Sequence, residues 1–144
     1  MAAYPATSGI DDFRARALPG QRTLRDFAAA FFTFTLVADI AYARTVILMW
    51  QDFASWLLFA GLVAGALSGL LWLGSLAMHR HRPHWPVVIL NLLVLVAALV
   101  NSLVHAGDGW TAIVPWGIGL SVVTCLLMLA SAVLSRLAFR HDHP

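Results

Sequence analysis

The chain has 144 residues, 60% of them hydrophobic and 11% charged, with a mean hydropathy of +0.80. A water-soluble domain is about 45–50% apolar and about 25% charged, so this chain has too little charge to cover a surface facing water. Its single cysteine, Cys125, excludes a disulfide scaffold, and its wealth of Leu, Val, Ala and Phe excludes disorder. An integral membrane protein remains.

The net charge of +2 comes from nine arginines and seven aspartates, with no Lys or Glu. The arginines sit at the ends of apolar runs and form no stripe interleaved with aromatics, so no nucleic-acid partner is expected. The partner that composition implies is the lipid bilayer. Residues 1–26 carry Asp11, Asp12, Arg14, Arg16, Arg22 and Arg25 without an apolar core, which reads as a polar tail and not a cleavable signal.

Four apolar runs follow, at 27–50, 54–78, 87–104 and 112–139, with a short tail at 140–144. Each reaches the length of a bilayer crossing, about 20 residues. Lipid offers no water to unpaired backbone groups, so the runs must be helices. The breaks, at Gln51-Asp52, His79 to Pro86 and His105 to Thr111, are short enough to make successive helices antiparallel neighbours. The expected fold is an all-α, antiparallel four-helix transmembrane bundle.

Orientation follows the arginines. Arg14, Arg16, Arg22, Arg25, Arg80, Arg82, Arg136 and Arg140 map to one side, and only Arg44 lies near the other. Both termini and the middle loop are therefore expected on the cytoplasmic face. Trp50, Trp56, Trp110 and Trp116 then fall at the outer interface and Trp85 at the inner one.

Within the first run, Asp39 stands where an unpaired carboxylate costs about 2.5–3.5 kcal/mol on insertion scales. It must face the bundle interior, protonated, paired or hydrogen-bonded. Arg44 follows five residues later, about 140° round the axis, a strained but reachable partner. In the second run Gly61, Gly65 and Gly69 recur every four residues, baring one face for close approach to another helix or to a second copy of the chain. The third run offers Asn91, Asn101 and His105, the last two on one face. Asp39, Arg44, Asn91, Asn101 and His105 are thus expected to share one polar seam. Hydrogen-bonded glue between helices and a proton or small-ligand path are both open readings of it. In the fourth run Gly117, Ser121 and Thr124 or Cys125 line a small face, a plausible partner for the glycines, with Pro115 in the first turn, where proline costs least.

The remaining histidines cluster on the inner side as His79-x-His81 and His141-x-His143, with His84 between. Imidazole pairs can hold a divalent metal, but Arg80, Arg82 and Arg140 are interleaved with them and repel a cation. His79 and His141 could also approach as axial ligands of a b-type haem at the membrane boundary. No nucleophile elbow, phosphate-cradling glycine loop, CxxC or HExxH occurs, so no catalytic site is indicated. His105 and Asp108, beside Trp110, form one further acid–base pair, read as a loop cap.

Asp39, Trp50, Ala54 to Trp56, the run Gly61 to Gly65, Asn91, Asn101, His105 to Trp110, Pro115, Gly117, Leu120 and Ser121 together resemble the bacterial membrane family called domain of unknown function 2231. The resemblance runs from about Phe27 to His141 and implies a four-span bundle of the cytoplasmic membrane with no established activity. Two departures stand out. Family members often open the first span with a His-Pro pair, where this chain has Arg25-Asp26-Phe27, and of their Tyr-Arg-His-Gly-Val-Gly-like tail only His141 carries over. The reading is a structural or accessory membrane subunit, alone as a homo-oligomer or in a larger complex. The alternative is a haem-bearing or proton-handling protein.

Overall fold

The computed structural model describes residues 18, 20–78, 84–107 and 113–141, the side chains of 113 and 138–141 excepted. Four helices carry the chain: α1 (Gln21–Thr45), α2 (Leu48–Ala77), α3 (Trp85–His105) and α4 (Ile118–His141). All are long and apolar enough to cross a membrane. α1 packs most extensively on α2 and α3 on α4, while α1–α4 and α2–α3 contacts close the ring. α1 and α3 therefore stand on one diagonal of a square bundle.

The buried faces follow a spacing of three and four. On α1 they are Ala28, Phe32, Thr35, Asp39 and Tyr42, and on α3 Val94, Ala98, Asn101 and His105. On α2 the series includes Ala54, Leu58, Gly61 and Ser68, and on α4 it is Ser121, Thr124 and Ser131, with Gly117 just ahead of the helix in the same stripe. Such a seven-residue repeat keeps one stripe facing inward along a left-handed bundle. The outward faces are the greasy ones. Trp56, Leu70, Leu103, Trp116, Leu126 and Leu129 are all more than half exposed, whereas Thr35, Asp39, Ser75 and Asn101 are sealed inside. Lipid tails are as apolar as leucine, so close packing and hydrogen bonds between helices, not the hydrophobic effect, must hold such a bundle together.

The helix limits differ from the apolar runs in an instructive way. α1 starts at Gln21, because Gln21, Arg22, Arg25 and Asp26 extend the helix beyond its apolar part. The first break falls at Val46-Ile47, and Gln51 and Asp52 lie inside α2. Early helix positions tolerate polar and acidic residues, since the first N–H groups lack intrahelical partners and carry partial positive charge. Val46 turns the chain by adopting φ 57°, the left-handed region, with its N–H bonded to Tyr42 O at 2.7 Å. Apolarity alone gives no warning of a turn made by a valine. Pro115 lies ahead of α4 proper: Val114 is extended at φ −114°, ψ 116°, as expected for a residue that precedes proline. Trp50 and Trp116 lie at one end of the bundle and Trp85 at the other, Trp56 sits two turns into α2, and Trp110 is outside the described residues.

The glycine stripe divides by use. A Cβ at Gly61 would stand 2.5 Å from Phe32 Cε1, and one at Gly65 2.6 Å from Leu95 Cδ2. Both therefore make room for side chains of this same chain, from α1 and α3. Their partners are Phe32 and Leu95, not the small face of α4. At Gly69 an added Cβ meets nothing within 4 Å. Around Gly61 and Gly65 lies the apolar core, built from Ala28, Phe32, Leu58, Ala64, Val94 and Ala98 with Leu62, Leu95, Leu127 and Met128 against it.

Gly61→Ala is expected to lower stability by about 1–3 kcal/mol, the usual penalty of overpacking. Gly69→Ala should instead be neutral or gain up to about 1 kcal/mol from helix propensity. Thermal unfolding of the two variants in detergent, followed by circular dichroism, separates them.

Candidate functional site

Asp39 is fully buried six residues before the end of α1, and its side chain and that of His105 have no exposed surface. From the diagonal helix, His105 Nε2 lies 2.8 Å from Asp39 Oδ1. From α4, Ser121 Oγ donates to Asp39 Oδ2 at 2.5 Å. Asn101 Nδ2 donates to Ser121 Oγ at 2.8 Å, one turn from His105 on the same face of α3. His105 Nδ1 is 3.0 Å from Asn101 O, closing the network. Three helices meet on a single carboxylate.

The proton positions follow from the partners. Asn101 O is a carbonyl and only accepts, so His105 Nδ1 carries a hydrogen. Nε2 and Oδ1, 2.8 Å apart, must then share one proton, held as imidazolium with carboxylate or as imidazole with carboxylic acid. Either form makes the pair neutral overall, which lowers the cost of placing it in lipid. Ser121 accepts from Asn101 and so has its own hydrogen free for Asp39. Turning the Asn101 amide over would set its oxygen against Ser121 Oγ and compete for that hydrogen, so the orientation is fixed by the network. One atom is left over: Asn101 Oδ1 is buried without a partner among the described residues.

Of the residues expected to share a seam, Asp39, Asn101 and His105 come together, and Arg44 and Asn91 do not join them. Arg44 is exposed on α1, and both oxygens of Asp39 are taken by His105 and Ser121. Its offset of about 140° from Asp39 around the axis turns it out of the bundle. Asn91 lies ten residues before Asn101 on α3, about 15 Å along the helix, and its Oδ1 accepts from Ser131 Oγ of α4 at 2.8 Å. Ser121 was legible only as part of a small packing face. Its hydroxyl and the buried spacing Gly117, Ser121, Thr124 were the signal that α4 also faces the carboxylate.

His79, His81, His143 and Asp108 lie outside the described residues, and the side chain of His141, at the end of α4, is not described. His84 is exposed at the start of α3. No group of three or more metal-ligating side chains occurs among the described residues. Cys125 is half-buried with its thiol 3.9 Å from Phe32 O, donating weakly across to α1.

The chain belongs to the predicted membrane protein family DUF2231, whose model matches residues 24–142. No curated protein and no solved structure matches it.

Asp39→Ala removes the acceptor of two helices and leaves His105 and Ser121 buried without it, so it is expected to cost about 3–5 kcal/mol. Arg44→Ala, at an exposed position, should stay within about 0.5 kcal/mol of the parent. Denaturation midpoints of the two variants in one detergent make the comparison.

Proposed function

We propose that this protein is a structural or accessory subunit of the bacterial cytoplasmic membrane, with both termini on the cytoplasmic side. It would pack as a preformed bundle against a second copy or a larger membrane complex. The observation that carries the reading is the network of Asp39, His105, Ser121 and Asn101. Apart from Asn101 Oδ1, and His105 Nδ1, which bonds within α3, its side-chain polar atoms are spent on bonds that hold α1, α3 and α4 together. A polar inside of that kind fixes which helices meet and at what height, and it leaves the apolar outside free for lipid or for another membrane protein. The arginine distribution supports the orientation, with eight on the side of the termini and the middle loop against Arg44 alone.

Extraction of the full chain in mild detergent, with size and composition measured by native mass spectrometry, tests this reading. A defined homo-oligomer, or a fixed ratio to one partner, is the expected result. A monomer at every concentration, together with a haem Soret band in the purified protein, would overturn it in favour of a redox protein that uses His79 and His141.

A further inference from the structure

We propose that Asp39 and His105 form a binding site for a single exchangeable proton, close to the end of the bundle that holds the α1–α2 turn and separated by an apolar layer from the opposite end. The inference uses the same residues as the structural reading but goes beyond it, because helix glue needs no proton exchange. It rests on the hydrogen-bond inventory. Nδ1 of His105 is committed to a carbonyl, and the 2.8 Å contact of Nε2 with Asp39 Oδ1 exists only while a proton lies between them. When that proton leaves to water, two lone pairs face each other across the same gap. The neutral pair becomes neutral imidazole beside a buried carboxylate, and Ser121 alone still donates to it. Proton release and loosening of the α1–α3 diagonal are thereby one event.

The two ends differ in their distance from the site and in what lies between. His105 is the last residue of α3 and is followed by exposed Ala106 and Gly107, and Asp39 is about 9 Å along the helix from the end of α1. Toward the other end, Phe32, Leu58, Val94 and Ala98 form an apolar layer between this site and the Asn91–Ser131 pair. Thr35 and Thr124 are bonded back to Phe31 O and Leu120 O of their own helices. The titratable and charged groups around the site are buried Tyr42 on α1, half-buried Cys125 on α4, and exposed Arg44 and Asp52 near the turn. Neither exposed charge is positioned to replace the shared proton.

Asp39→Asn is the informative variant. Its amide nitrogen can donate to Nε2 and its oxygen can accept from Ser121, which keeps both bonds and removes the shared proton. On alkaline titration of the full chain in unbuffered detergent, the parent should release a single proton per molecule more than Asp39→Asn. Equal release from two folded proteins overturns the site, while the structural reading survives. If Asp39→Asn does not fold, ¹⁵N-histidine spectra of the parent decide, with His105 identified by the signal lost in His105→Gln. Nδ1 should stay protonated while Nε2 changes with pH; a Nε2 that never changes, or a titrating Nδ1, overturns the proposal. In vesicles of uniform orientation the proton should reach a dye on one face only, and its appearance on both would overturn the separation from the opposite end.

Discussion

A carboxyl group placed in the hydrocarbon interior constrains everything around it. Asp39 has no exposed surface, and an unpaired charge there would cost several kcal/mol. Neutrality comes from across the bundle, through His105, and not from Arg44 on its own helix. This bond spans the diagonal of a square, between helices that otherwise touch little. The diagonal can close only where the bundle is thin. Ala38 and Ala54 are essentially without exposed surface at this end, and Gly117 is buried in the segment that leads into α4. Small side chains and the Asp–His bond therefore require one another: without the first the second is out of reach, and without the second the first has no reason to be polar at its centre.

Glycine plays the matching part at mid-height. Phe32 fills the space that a side chain at Gly61 would take, and Leu95 does the same at Gly65. Close approach increases dispersion contacts, the main attraction available when the surroundings are as apolar as the protein surface. The result is an apolar waist of Phe32, Leu58, Val94 and Ala98, with a polar clamp on each side of it.

Much of this was legible in the sequence, because bilayer physics is restrictive. Long apolar runs can only be helices in lipid, so the number of spans followed from hydropathy. Asp39 and the Asn101–His105 face could be set against each other because spacing fixes the face and antiparallel order fixes the height. What escaped has equally physical reasons. The turn at Val46 relies on a left-handed backbone that a β-branched residue rarely adopts, and no side-chain pattern announces it. Ser121 read as a small packing residue because a serine hydroxyl can bond its own helix, as Ser135 does to Ser131 O, and only the neighbouring helix decides otherwise. The polar seam is divided into two separate stations because Asn91 and Asn101, though within a quarter-turn of each other in angle, lie nearly three turns apart along α3.

Those two stations also explain why α3 and α4 hold one register. Asn101 bonds Ser121 and Asn91 bonds Ser131, so ten residues down α3 correspond to ten residues up α4. The pairs are two rungs of one antiparallel ladder. Sliding α4 by a turn, about 5.4 Å, would break both rungs at once and strip Asp39 of its serine. Sliding it by the full distance between rungs would restore one pair and strand the other asparagine and serine in lipid. Apolar faces of leucine and valine tolerate such slips with little change in contact area, and so cannot select among registers. Two asparagine–serine bonds at matched spacing can, because a polar group left unpaired in the bilayer has no water to turn to. Register in this bundle is therefore set by the few groups that would otherwise be least at home there.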